Sequence, residues 1–511
     1  MKQTCVLMAV LSLASSLAAE SAENPSSNAA SCGYRTAQQC LEQALQAMGG
    51  RDRLEGLRSI RLQTIGHAAL PEQSYRQAPF ITSYERDQVT LDLFGQRVLV
   101  ESKQTWPEND LGDPDTDSIA VIGLDGGVYR TKEGDSPSSL ADVDAARQAL
   151  ALGPQSVLLT AAGSSDLHFE APKAIRGTMH PALAFTWRQI PVRVLLNPFN
   201  HLPDAVETTQ EFHDFWYFWG DVRQRIYFDN WKLINGIHLP TNWVEERNDL
   251  LWKSTQALNV ELNVLIDETA FARSPEAVSR SAASSGWNRP FRADKPLQLA
   301  SGVDLYPGSW NATLVKEPNG VVILEAPISE TYTQGLIAEA AKRYPGVPIE
   351  AVLSTSDSWP HTGGVRSVVA KGLPVYILDA NQPLLDRMMG APHTIRPDSL
   401  QQLSARKQPK WKIVARKERV GSGDNRMDLY PLRGAVTERQ YMVYFPQHHL
   451  LYASDTLVLY PDGRIYDPEM MDEIARVVER EHLVVDKVFA MHQGPTPWAQ
   501  VMVEIEKARR T

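Results

Sequence analysis

The stretch "TSDSWPHTGG", Thr355 to Gly364, places a histidine, an aspartate and two serines within ten residues. The apolar run "IEAVLS" before it reads as a buried strand, and "GGVRSVVAKG" after it opens like a helix. Asp357 and His361 are the polar groups of a candidate pocket floor, and Trp359 supplies an apolar wall. Ser356 and Ser358 raise a serine nucleophile, which needs only an adjacent base such as His361. Neither a G-x-S-x-G elbow nor an S-x-x-K motif accompanies them, which counts against that chemistry. Each residue also has a plain structural role: a hydrogen-bonded histidine, and an aspartate that caps the turn.

These residues sit in a second half, 297–511, that alternates strands and helices. "GVDLYPGSWNATLVKEPNGVVILEAP" reads as two or three strands with a hairpin turn at Asn319-Gly320. "SETYTQGLIAEAAKRYPG" is a helix with Ser329 as N-cap and Gly346 past its end. "PVYILDAN" is a strand and "QPLLDRMMG" a helix. "QYMVYFPQHHLLYASD" is a hairpin-like pair, "PEMMDEIARVVEREH" a helix, and "VDKVFAMHQGPTPW" ends a last strand. Two such series predict two sheets covered by helices.

The first half, 36–271, is predicted to be mostly β. "TAQQCLEQALQAMGG" opens it as a helix, with Leu41, Ala44, Leu45 and Met48 at helical spacing. Alternating segments then run from about Leu57 to Asp267, with turn signals at Asp125-Gly126-Gly127 and Asn235-Gly236 and one helical interruption, "SSLADVDAARQALALG". "FHDFWYFWG" (212–220) reads as core or domain interface, or else as the lining of an apolar groove. Residues 272–296, rich in Ser, Ala, Arg and Pro without apolar period, are the expected linker.

The second half resembles the metallo-β-lactamase fold, an αβ/βα sandwich. "GVVILEAPIS", with Glu325 where the family usually has Asp, "TSDSWPHTGG", "MVYFPQHHLLYASD" and "MHQGPTPW" carry the resemblance. The family's H-x-H-x-D-H ligands are largely missing: Ser356 and Ser358 stand at the first two histidines, Pro360 at the aspartate and Val436 at a third histidine. The first of the family's two metal sites is therefore lost, since hydroxyls and valine do not replace imidazoles for zinc. The resemblance still carries over His361, Asp455 and His492 as ligands of one divalent ion, zinc foremost, that would polarise a water. Asp357 would add an oxygen or act as general base, and His393 would contribute peripherally. The first half resembles the periplasmic lipoprotein-carrier fold, an antiparallel half-barrel, on "MGG...LEGLRSIRLQTIG" and "YFDNWKLINGIHLPTNWV". That resemblance implies a concave face able to hold a lipid or other apolar ligand.

Lys2, an apolar stretch from Cys5 to Leu13 and small residues at Ser16 and Ala18 predict an export signal at 1–19, cut near Ala18 or Ala19. The apolar run is far short of the roughly 20 residues a spanning helix needs. A polar tail would follow over 20–35, and the protein would be periplasmic or secreted. In that compartment Cys32 and Cys40 are expected to pair. A net charge of −10, from 51 basic and 61 acidic residues, offers no electrostatic case for binding nucleic acid. Two functions are consistent with the sequence: an exported hydrolase with an atypical mononuclear site acting on a small-molecule or lipid-like substrate, or a non-catalytic binding protein on a degenerate scaffold. Neither substrate nor oligomeric state is legible.

Overall fold

A computed structural model describes residues 32–33, 36–69, 80, 82–105, 115–284, 286–292 and 294–510. The expected export signal and nearly all of the tail lie outside them. The helix Ala37–Ala47 begins at a capping box formed by Thr36 and Gln39, and it buries Cys40, Leu41, Ala44 and Leu45. Cys40 is disulfide-bonded to Cys32, with Cα atoms 5.7 Å apart.

In the first half, the described residues form a 13-stranded sheet, antiparallel at every joint, and a separate two-stranded ribbon, Lys232–Ile234 with Ile237–Leu239. The sheet runs from Gly134–Pro137 at one edge to His168–Ile175 at the other. Its first and last strands in sequence, Ser59–Ala69 and Leu250–Leu262, are neighbours in the middle. The helices Ala37–Ala47, Leu140–Leu152 and Val157–Ala162 pack on the sheet through a core that includes Leu41, Leu45, Leu150, Leu158, Leu183 and Val194. Asn235-Gly236 makes the predicted tight turn, with both residues at positive φ.

The second half is an αβ/βα sandwich, as expected. Its seven-stranded sheet starts with antiparallel pairs from Leu297–Ala300 to Val321–Leu324 and continues in parallel through Ile349–Leu353 and Pro374–Leu378 to Lys410–Val414. The six-stranded sheet runs from Glu418–Val420 to Thr496–Pro497, with Leu450–Tyr452 parallel to Lys487–Phe489. The two sheets share a core of Leu305, Leu324, Leu353, Val443, Phe445 and Phe489. Residues of Glu330–Arg343, Val365–Lys371 and Gln382–Gly390 pack against the first sheet, and those of Pro468–Arg480 and Trp498–Ala508 against the second. Asn319-Gly320 joins two antiparallel strands, as predicted.

One part differs from expectation, and a second decides between two readings. The 272–296 stretch contains the helix Pro275–Ala282, started by Ser274 as N-cap and proline at its first position. Ala277 packs it against Val121, Val128 and Phe271, a face too small to show as periodicity. The "FHDFWYFWG" segment forms a 3-10 turn, Phe215–Trp219, buried with Val365, Val369 and Met388 of the second half. It is interface core, and its first residues, Phe212, His213 and Asp214, also line a cavity of the first half. No helix among the described residues is long and apolar enough to cross a membrane.

Candidate functional site

Four strands end at one place. Val321–Leu324 delivers Glu325, Ile349–Leu353 delivers Thr355, Leu450–Tyr452 delivers Ser454 and Asp455, and Lys487–Phe489 leads to His492. The backbone is left-handed at Glu325 (φ 76°), Ile328 (φ 42°) and Ser454 (φ 55°), conformations that cost energy in non-glycine residues and cluster at functional sites. The short helix Trp359–Thr362 inserts His361 between the strand ends.

Glycines make that insertion feasible. A Cβ on Gly363 would collide with the carbonyl of Ile328, and one on Gly364 with the Thr333 side chain. The "GG" after His361 thus serves close packing of its turn against the loop that follows Glu325.

Glu325 is wholly buried. Its Oε1 accepts from Thr355 Oγ1 at 2.5 Å and from Tyr452 OH at 3.0 Å. Since the Thr355 hydroxyl proton is committed there, the 2.7 Å contact with Ser454 is donated by Ser454 Oγ. Glu325 Oε2 lies 3.0 Å from Nδ1 of His361, which is also wholly buried. On the far side of that ring, Nε2 is 3.6 Å from Asp455 Oδ2, an ion-pair distance beyond hydrogen-bonding range. Asp455 Oδ1 lies 3.1 Å from Nε2 of His492, and His492 Nδ1 is 2.7 Å from the carbonyl of Ser309.

This geometry fixes charge. A carbonyl only accepts, so His492 carries a proton on Nδ1; its Nε2 contact with a carboxylate is then attractive only if that nitrogen is protonated as well. His492 is accordingly raised above an ordinary histidine: burial opposes its charge, but the hydrogen bond and charge of Asp455 outweigh burial. For His361 burial again opposes, and the charge of Glu325 followed by Asp455 lifts it to about 10. Asp455 is held well below the usual carboxylate range, the two histidines overcoming its desolvation. The row Glu325, His361, Asp455, His492 therefore alternates minus, plus, minus, plus, and only Asp455 and His492 are partly exposed.

Other expected residues are placed differently. Asp357 is not poised as a base: its Oδ2 accepts from Nε (2.8 Å) and Nη2 (2.5 Å) of buried Arg439. Nothing local in "GAVTERQYMVY" marks Arg439 as its partner. Ser356 Oγ accepts from the Ser358 backbone N–H, and Ser358 Oγ is buried without a hydrogen-bond partner. Both His361 nitrogens face carboxylates, so neither serine has it as a base. His393 belongs elsewhere, 3.5 Å from Asp398 beside Arg366 in a pocket of about 220 Å³. Burial and the Arg366 charge push it down to about 4.

The donor types of His361, Asp455 and His492 suit a divalent ion. The two histidines face opposite oxygens of Asp455, and in their protonated form they offer no lone pair, so an ion would bind only with release of those protons. Among the described residues no group of three or more His, Cys, Asp or Glu side chains is arranged to hold a metal ion.

No family model matches the chain, and no curated protein matches it. Among solved structures it is similar to the stereoselective inverting sec-alkylsulfatase Pisa1 from Pseudomonas sp., at 14% identity and a TM-score of 0.31, over 42% of this chain and 40% of that one. It thus spans about two fifths of the alkylsulfatase. It is also similar to the DIM-1 metallo-β-lactamase, at 13% identity and a TM-score of 0.33, over 43% of this chain and 98% of that one. A metallo-β-lactamase from Pontibacter korlensis gives 15% identity and a TM-score of 0.33, over 42% and 99%. Likenesses this distant assign neither fold nor activity, and the sheets and site geometry stand on their own.

Proposed function

We propose that this chain is a hydrolase-like enzyme whose reacting groups are Asp455 and His492, with His361 and Glu325 positioning them from the buried side. The observation that carries the proposal is the row of alternating charges at converging strand ends, buried at one end and open at the other. A purely structural ion pair needs no such opening, whereas perturbed titratable groups at a partly exposed strand end suit catalysis.

In this reading His492 delivers its Nε2 proton to the leaving oxygen or nitrogen of an ester, amide or phosphoester. A water adds to the carbonyl carbon or phosphorus as the leaving-group bond breaks. Once His492 has given up the charge that helps hold Asp455 low, Asp455 accepts the water's proton and returns it to His492, 3.1 Å away, which restores the starting state. No step uses a metal. The Cys32–Cys40 bond supports the accompanying reading that the chain is exported to an oxidising compartment.

The test is hydrolysis of a panel of chromogenic carboxylate esters, anilides and phosphate esters by the full chain, with and without chelator. Activity that survives the chelator and disappears in His492→Ala and Asp455→Asn supports the proposal. Activity that requires added zinc and follows bound metal would replace it with a metal mechanism, and an inert chain would overturn the enzyme reading.

A further inference from the structure

Three adjacent strands of the first sheet change character along one face. Register pairs Thr208 with Gln224 and Gln224 with Arg247 in a polar row. Beside it, Val206 pairs with Ile226 and Ile226 with Glu245, and beyond that Phe228 pairs with Trp243. The same face is thus apolar at one end and polar at the other.

Between this face and the helix Leu140–Leu152 lies a cavity of about 700 Å³. That is within the roughly 300–1,000 Å³ of small-molecule sites. Its apolar end is walled by Leu62, Val89, Phe228 and Trp243 on the sheet and by Ala149 and Leu152 on the helix.

Charge decides what the polar end accepts. The lining carries six carboxylates against Arg247, Lys253 and His213. Each of those cations is already neutralised: Lys253 by Glu85, Arg247 by Glu245 and Asp214, and His213 by Asp144. Counting Arg396 and Arg147, which reach Glu211 and Asp144 from outside the lining, the sum is five positive against six negative. An anionic head group would meet no unpaired cation here, and a cationic one gains from the carboxylates.

We infer that this cavity binds a cationic amphiphile, its apolar tail over Phe228 and Trp243 and its positively charged head toward Asp142, the lining carboxylate that has no ion-pair partner among the described residues. The inference does not depend on the hydrolase reading. Trp243, Trp252 and Trp287 all line the cavity, so their fluorescence reports occupancy.

The experiment titrates the full chain with dodecyltrimethylammonium and with laurate, both below their micellar concentrations, followed by tryptophan fluorescence and calorimetry. We expect one ammonium ligand per chain, bound at least about tenfold more tightly than laurate. Ala149→Trp, which fills the cavity, should weaken it by about tenfold or more, and Asp142→Asn should shrink the preference for ammonium over carboxylate. Melting curves establish that each variant is folded, and Asp142→Asn stands alone if Ala149→Trp is not. Laurate binding as tightly as the ammonium, binding unchanged in both variants, or binding of neither probe would each overturn the inference.

Discussion

His361 Nδ1 lies 3.0 Å from Oε2 of Glu325, and neither side chain is reached by solvent. Breaking such a buried pair leaves an uncompensated charge, which costs about 3–5 kcal/mol. Glu325→Gln and His361→Gln should each lose stability of that order in urea denaturation, and the double variant should lose clearly less than the sum. Additive losses would show that the two residues are not energetically coupled.

The pH dependence of stability should have two limbs. His361 is raised in the folded chain from 6.5 to about 10, so its contribution is complete below pH 6.5 and is lost as pH rises through about 10. His393 is lowered from 6.5 to about 4, so the unfolded chain takes the proton first and stability falls as pH drops from 6.5 toward 4. Melting temperature measured across pH should flatten on the alkaline side in His361→Gln and on the acid side in His393→Gln.

Asp357 and Arg439 should behave as a structural pair. Arg439→Ala strands a buried carboxylate and should cost about 3–5 kcal/mol. Asp357→Asn should lower stability while the folded fraction keeps its turnover. A variant of normal stability and abolished turnover would instead make Asp357 the base.

His492 should show the opposite split. It is partly exposed at the end of the row, so His492→Ala should shift the melting temperature little. Loss of a general acid lowers turnover by about 10²–10⁴-fold. Steady-state kinetics should place that loss in kcat, with KM nearly unchanged.

The glycine pair tests how the site is packed. Gly363→Ala and Gly364→Ala force a methyl into the Ile328 carbonyl and the Thr333 side chain, respectively, and overpacking of this kind costs about 1–3 kcal/mol. Chemical denaturation measures it, and variants as stable as the parent would show that the turn relaxes freely.

Much of the fold was legible because its signals are local. The helical stripe of Leu41, Ala44, Leu45 and Met48 is buried as spaced, and the Asn-Gly turns occur where they stand in the sequence. His361, Asp455 and His492 were singled out together by the resemblance to the metallo-β-lactamase fold, not by a local signal. The helix Pro275–Ala282 was not legible, since Ala277 and Val278 alone are too few to leave a period. Nor was the Arg439–Asp357 pair, which joins segments distant in sequence.

By itself, then, the sequence determined the order of strands and helices and the residue types available at their ends, because periodicity and turn chemistry act over a few residues. Tertiary structure alone decided the charges those residues carry. It set His361 between two carboxylates, turned Asp357 into the partner of Arg439, and paired every cation lining the cavity of the first half. Protonation depends on burial and on partners brought from remote segments, and no local pattern encodes either.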